Sequence, residues 1–395
     1  MKHWLEKRNL FFSNGDINGS LGDMGTFIPL AVGLVSRCGF NLGHILLFAG
    51  GANIAGGLLF GLPMPVQPMK AIASIAIAEG MKADTIMAAG ITSGLVLLFL
   101  SLTGLFGYFY RIVPKTLIRG LQLAIGLKLM LGGLDMIKTS GLNLELNSIY
   151  ISLACFIVIT VSLSNKNIPG VMILFLAGVL IALYSIPESE AALSFGSSLP
   201  TLRIPELREL TDGFIRAAMP QIPLTVLNSV IAVSALSVDL FPNRPLAPRA
   251  VALNVSVMNL IGCLFGGMPM CNGAGGLASQ YKFGARSGGS VVFLGLIMIL
   301  AALALGNSLL ALFAAFPTSV LGVLLVFSGL ELAIVCRDQS SAKARTTVIL
   351  TAAICVTINT AIGFAAGWII AAMMMERARK PAESPQPAIS VEGGI

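Results

Sequence analysis

Asp23, Gln67, Lys70, Gln221, Asn228, Asn272 and Glu331 are polar or charged residues set in stretches that are otherwise apolar. They do not combine into a nucleophilic, redox or hydrolytic set. The two histidines, His3 and His44, are far apart, the six cysteines are scattered without a CxxC pair, and no Walker pattern occurs. Nothing here indicates an enzyme, a metal site or a cofactor. Carboxamides and an ammonium supply hydrogen-bond donors and positive charge, and the chemistry open to such a group is the non-covalent holding of an anion.

Two proline- and glycine-rich stretches must position these residues. One is Gly61-Leu62-Pro63-Met64-Pro65-Val66-Gln67-Pro68-Met69-Lys70, and the other runs from Gly267-Met268-Pro269 to Asn272-Gly273-Ala274-Gly275-Gly276. The whole chain is 56% hydrophobic and 11% charged over 395 residues, where a soluble domain carries about 25% charged residues. It reads as an all-α polytopic membrane protein with a lipid bilayer as its surroundings. Broken backbone at membrane depth is tolerated only where protein or a watery cavity surrounds it. Each break therefore predicts a half-helix beginning near the midplane, its free N–H groups and positive dipole end turned toward a ligand. The candidate binding residues are Gln67, Lys70, Asn272, Gly273, Ala274 and Gly275 at the breaks, with Gly22 and Thr26 from the first segment and Gln221 and Asn228 from the eighth. The plainer alternatives make Gln67 and Asn272 helix caps and Lys70 a lysine reaching for the interface. An intramembrane carboxylate is costly unless it is paired or used, so Asp23 is a coupling candidate, and Lys70 is open to two readings, a contact to the anion or a pair with Asp23. Glu331 and Lys128, at matched positions in segments 12 and 5, are the remaining coupling or gating candidates.

A spanning helix needs about 20 apolar residues, and the hydropathy pattern yields about fourteen segments. The first seven are 17–35, 40–60, 65–78, 85–109, 115–132, 149–163 and 169–184; the second seven are 213–238, 250–266, a broken element ending near 280, 290–310, 318–335, 347–362 and 365–375. The expected organisation is a cytoplasmic N-terminus (1–16), a first seven-segment repeat (17–184), an extracytoplasmic loop (185–211), a second repeat (212–375) and a disordered cytoplasmic tail (376–395). With the N-terminus inside, the alternating loops place 17 of the 25 Lys and Arg in the cytoplasm and only Arg37, Lys82, Lys138, Arg203, Arg208 and Arg216 outside. That bias favours both termini in the cytoplasm and assigns the net charge of +7 to loop clusters rather than to a nucleic-acid surface.

The chain also echoes itself. Residues 53–64 (NIAGGLLFGLPM) and 259–270 (NLIGCLFGGMPM) are identical at six of twelve positions, including Asn53/Asn259 and Pro63/Pro269. A second echo pairs Pro114, Gly126 and Leu127 with Pro317, Gly329 and Leu330. Two halves of seven segments each have opposite membrane orientation, the inverted repeat of secondary transporters, with segments 3 and 10 as the broken half-helices.

Three motifs carry a resemblance. Pro63 to Ala73 (PMPVQPMKAIA), Gly22 to Pro29 (GDMGTFIP), and Gly273 to Ala278 (GAGGLA) followed by Tyr281 to Gly289 (YKFGARSGG) resemble the molybdate transporter family of plants and bacteria, a branch of the sulfate permease superfamily. The resemblance implies a seven-plus-seven inverted fold with a core and a gate domain, and a tetrahedral oxyanion as substrate. Family members often carry histidine where this chain has Asn272. The expected function is a secondary active transporter of the cell membrane (inner or plasma) that imports such an oxyanion, molybdate first, by alternating access. A dianion entering against about 100 mV meets roughly 4.6 kcal/mol of opposing potential, so coupling is needed, most simply to protons. A sulfate transporter or anion exchanger of the same fold is the alternative, and the class leaves room for a homodimer. Nucleobase permeases, which resemble this architecture, bind the base with carboxylates in segments 8 and 10, and those are missing here.

Overall fold

In the computed structural model, residues 8–106, 113–139, 148–164, 170–185 and 200–374 are described. The chain enters as α1 (Asn14–Ser20), passes a single 3-10 turn at Leu21–Asp23, and continues as α2 (Met24–Cys38) and α3 (Leu42–Phe60). Asn41 caps α3 by accepting from His44 N at 3.3 Å, and Gly61 ends it with φ 64°, a left-handed conformation that only glycine adopts without strain. A three-residue strand, β1 (Val66–Pro68), follows, then the short helix α4 (Lys70–Glu79), α5 (Ala83–Thr103), α6 (Lys115–Thr139), α7 (Ile149–Ser164) and α8 (Gly170–Ser185).

The second half begins with α9 (Leu207–Gly213) and runs without a break through α10 (Met219–Leu224) and α11 (Ala232–Leu240), joined by two π-helical stretches at Phe214–Ala218 and Thr225–Ile231. Pro220 and Pro223 account for the irregularity: each removes an N–H and crowds the carbonyl one turn back, and the wider π turns absorb the misfit. Then come α12 (Pro248–Leu264), β2 (Met270–Asn272), α13 (Ala274–Lys282), α14 (Gly289–Ala314), α15 (Thr318–Ile334) with a 3-10 extension to Asp338, α16 (Ala342–Thr357) and α17 (Thr360–Met374). Among the described residues six helices are long and apolar enough to cross a membrane: 14–38, 42–60, 83–103, 115–139, 207–240 and 318–338.

The all-helical expectation is amended at one place. β1 and β2 pair antiparallel, with Val66 opposite Asn272, Gln67 opposite Cys271 and Pro68 opposite Met270. Once prolines stop the helices, the exposed backbone groups of the two breaks satisfy each other, as an apolar interior requires. Met69 N extends the contact to Pro269 O at 2.9 Å. The sequence echo has a direct structural meaning here. Asn53 on α3 accepts from Val66 N at 3.0 Å, and Asn259 on α12 accepts from Met270 N at 2.8 Å. Each repeated asparagine braces the strand that follows its own helix.

Helix packing joins elements of the two halves: α3 lies on α14, α5 on α12, and α6 on α15. The second echo sits in the last of these. A Cβ placed on Gly126 would fall 2.5 Å from the Gly329 carbonyl oxygen, and one placed on Gly329 would fall 2.5 Å from that of Gly126. The two helices touch backbone to backbone, as small residues permit in membrane proteins. α4 is only ten residues long, marginal for an isolated helix, but Ala71 to Ile77 are buried without exception, so its neighbours hold it.

Three boundaries differ from the sequence reading. The stretch expected as loop over 185–211 already turns helical at Leu207, because Glu206 and Glu209 form a capping box. Between α16 and α17 the chain breaks at Ile358 and Asn359, not near Gly363, with Asn359 Oδ1 capping Ile362 N at 2.7 Å. α6 continues past Gly132 to Thr139. Residues 1–7 of the expected N-terminal segment, 186–199 of the loop and the tail from 376 lie outside the described residues.

Candidate functional site

A cavity of about 380 Å³ opens where the 3-10 turn at Leu21–Asp23 and the start of α2, the β1–β2 pair, the π stretch at Thr225–Ile231, α6 and α15 converge. Eleven of the residues singled out from sequence line it: Gly22, Asp23, Thr26, Gln67, Lys70, Gln221, Asn228, Gly273, Ala274, Gly275 and Glu331.

Two of the expected residues do not. Asn272 is fully buried and faces away. Residues opposite each other in an antiparallel pair project to the same face, and successive residues alternate. Gln67 and Cys271 therefore share the cavity face, while Val66 and Asn272 share the other. Asn272 receives Asn254 Nδ2 at 2.9 Å and donates to Pro65 O at 3.3 Å, which makes it a cross-brace. Lys128 lies beyond the cavity wall, where its Nζ meets Glu79 Oε1 and Thr360 Oγ1, both at 3.1 Å.

The two helix N-termini at the breaks are not equivalent. At α4 the side chain of Gln221 takes the first free donors, accepting from Ala71 N at 2.8 Å and Ile72 N at 3.3 Å, while its Nε2 donates to Thr225 Oγ1 at 2.8 Å. Those two donors are not open to a ligand. At α13 the capping position is Gly273, which has no side chain to offer, and Gly275 is exposed into the cavity with nothing within 4 Å of where a Cβ would stand. The open donors and the positive dipole end of α13 thus face the void.

Lys70, at the start of α4, reaches the same cavity. It makes no ion pair within 4 Å and no side-chain hydrogen bond among the described residues, so of the two readings of Lys70 the pair with Asp23 does not form. Asp23 instead accepts from Gln67 Nε2 at 3.0 Å. Asp23 is 4% exposed and Gln67 1%, yet Asp23 Oδ2 and Gln67 Oε1 have no hydrogen-bond partner among the described residues. The Asp23 carboxyl carbon is 3.2 Å from where a Cβ on Gly276 would stand, which places this carboxyl against the first turn of α13. Glu331 enters from α15, exposed and without an ion pair among the described residues. Among the described residues no group of three or more His, Cys, Asp and Glu side chains converges to hold a metal.

The sequence reading did not single out Ser74, Gln122, Ser279 and Ser328, which also line the cavity. Gln122 carried the one usable signal, an uncharged amide in the middle of an apolar helix; the serines gave none, because serine is common in membrane helices.

This arrangement can be set beside known proteins. The family model described as "Molybdate transporter of MFS superfamily" matches residues 15–129 and 213–332, which include both breaks and all of the cavity-lining residues named above. Molybdate transporter 1 of Arabidopsis thaliana is 37% identical over 94% of this chain and 91% of its own length. The chain belongs to the molybdate transporter family. Molybdate transporter 2 of the same plant is 38% identical over 93% of this chain and 89% of its own. Molybdate transporter 1 of Chlamydomonas reinhardtii is 32% identical over 96% and 95%. This member of the molybdate transporter family also shares its fold with two solved anion transporters. The transmembrane domain of the cyanobacterial bicarbonate transporter BicA aligns with TM-score 0.67 at 16% identity over 92% of this chain and 98% of that one. Murine Slc26a9 in its inward-facing state aligns with TM-score 0.68 at 16% identity over 94% and 70%. The family is one of membrane transporters, not enzymes.

Proposed function

We propose that the protein is a secondary active transporter that imports a tetrahedral oxyanion, molybdate by its family, through alternating access coupled to protons. One observation carries the reading: the uncapped N-terminus of α13 and the unpaired Lys70 ammonium face a single cavity. Backbone N–H donors at a positive dipole end, joined by a mobile cation, suit an oxygen-rich dianion. The lack of any carboxylate from α10, the Thr225–Ile231 stretch or α13 in the cavity wall counts against a nucleobase. Sulfate has the same charge and shape as molybdate, and a sulfate transporter or anion exchanger remains the second reading because the donor set does not separate the two.

Asp23 supplies the coupling site in this reading. An ionised carboxylate against the first turn of α13 neutralises the dipole end and repels an incoming anion. A proton on Oδ2 removes that charge and turns an unpartnered acceptor into a donor. One proton therefore enters with each anion, with Glu331 as a second proton candidate. In the alternating-access scheme we read the chain as fourteen segments in two inverted halves. α1–α5 and α9–α14 form the core that carries the broken half-helices, and α6–α8 with α15–α17 form the gate. Both termini lie in the cytoplasm, and a homodimer in the cell membrane is compatible with the scheme.

The test is molybdate uptake into proteoliposomes under an imposed inward proton gradient. Wild type accumulates molybdate, and a protonophore at clamped membrane potential abolishes accumulation. Asp23→Asn still binds and exchanges molybdate but no longer concentrates it. Gradient-driven accumulation by Asp23→Asn would remove the coupling role, and wild-type uptake competed by uracil but not by sulfate would remove the oxyanion.

A further inference from the structure

The cavity has a second wall. α6 and α15 form it, lined by Gln122 and Leu129 from α6 and by Ser328, Glu331 and Leu332 from α15, with Val335 just beyond. Within that wall stands Gln122, 2% exposed. Its Oε1 receives Arg119 Nη1 at 2.7 Å. A guanidinium has donors only, so the atom turned toward Arg119 is the amide oxygen, and the NH2 group is left pointing the other way. No acceptor among the described residues takes the Nε2 hydrogens, and Nε2 is not among the sealed, unpartnered atoms of the interior. With the side chain lining the cavity, the two free donors are directed into it.

Arg119 is itself held in place. Its Nε and Nη2 grip Asp338 at 3.1 and 2.7 Å, and Lys115 Nζ joins the same carboxylate at 3.0 Å. The chain of contacts runs from Asp338 at the end of α15, through Arg119 one turn before Gln122 on α6, to an amide whose orientation is no longer free. An unheld glutamine would rotate between donor and acceptor faces; this one presents donors.

We propose that Gln122 is a substrate-contacting residue that donates to the oxyanion from the α6 wall, with Arg119 and Asp338 as the positioning residues that set its amide. The inference rests on the oxyanion reading above. It gives the bound anion a neutral contact from α6 in addition to the cation and helix end of the α4–α13 side, on a wall that also carries the Glu331 carboxylate of α15. A neutral donor on the second wall adds direction without adding charge, so it favours the anion when the walls are close and does not retain it when they part.

The experiment is calorimetric titration of the purified full-length protein with molybdate and with sulfate, together with thermal melting of each variant. Gln122→Glu keeps the size of the side chain and an acceptor for Arg119, but turns a second carboxylate oxygen into the cavity in place of the NH2 group. It is expected to melt near wild type and to bind molybdate at least about 10-fold more weakly, the loss of one hydrogen bond to a charged group combined with repulsion. Gln122→Leu loses the donor without adding charge and shows a smaller loss. Asp338→Asn, which loosens Arg119, raises KM for uptake while leaving Vmax near wild type. Gln122→Glu that binds molybdate as wild type does, or Gln122→Leu that binds as well as wild type, overturns the role of Gln122 alone. A wild-type protein that binds neither oxyanion overturns the oxyanion reading and this inference with it. If Gln122→Leu does not fold, the Gln122→Glu titration decides.

Discussion

Gly275 and Gly276 are neighbours at the start of α13, and a methyl group on each should do opposite things. A Cβ on Gly275 meets nothing within 4 Å and stands in the cavity. Alanine there meets no steric obstacle and costs the fold nothing. It does stand beside the open N–H groups and holds an anion away from them. Losing one or two hydrogen bonds to a charged ligand, each about 1.5–3 kcal/mol, weakens binding about 10-fold to several hundred-fold or more. A Cβ on Gly276 would run into Gln67 Nε2 and lie 2.7 Å from Pro65 Cγ. Overpacking of this kind costs about 1–3 kcal/mol, and it pushes apart the Gln67–Asp23 bond and the strand behind it. Thermal melting and molybdate titration on the purified variants separate the two. Gly275→Ala should melt as wild type does and bind poorly, with Gly275→Val binding more poorly still; Gly276→Ala should melt lower. Wild-type affinity in Gly275→Ala would mean that the anion does not approach this helix end, and the site as drawn would be wrong.

Asn272→Ala leaves the Asn254 amide without its acceptor at 2.9 Å and should cost about 1–3 kcal/mol of stability, with molybdate affinity unchanged in the protein that folds; a selective loss of affinity would return Asn272 to the site. Lys70→Gln removes a cavity charge that no protein carboxylate holds within 4 Å, so expression and melting should stay at wild type while affinity falls about 10-fold or more; unchanged binding would leave Lys70 without a ligand role. Glu79 joins Lys128 of α6 at 3.1 Å and Arg216 at 2.7 Å, and Glu79→Gln should speed exchange of substrate across this end, read as raised Vmax with little change in KM; no change in either would show that the ion pair does not restrain the movement.

What the sequence made legible was position along the chain. Pro63, Pro65, Pro68 and Pro269 marked where helix could not continue, and Asn53 and Asn259 marked the repeat that braces both breaks. Which way a side chain points within a break was not legible, because it depends on the register between two strands that are remote in the chain. Gln67 opposite Cys271 faces the cavity, and a shift of one residue would have turned Asn272 inward instead. Charge partners were hidden for a similar reason. Asp23 and Lys70 are the obvious opposite charges, but the helix geometry gives Asp23 to Gln67 and leaves Lys70 to the cavity. Gln221 showed the reverse problem: its amide was readable as a ligand donor, and only the close approach of α10 to α4 makes it the cap of that helix.

The pairing of β1 with β2 also bears on how the protein is made. Val66 N has Asn53 within the first half, but the strand of Val66 to Pro68 pairs with Met270 to Asn272 and Met69 N with Pro269 O, residues that leave the ribosome only after the whole first half and the start of the second. Until then the first break carries unpaired N–H and C=O groups into a medium that does not solvate them, each at a cost of several kcal/mol. Insertion of this chain is therefore not a sequence of independent helices settling one by one. The first half waits, incompletely inserted or sheltered, for a three-residue strand from the second, and the cavity is among the last parts of the molecule to be built.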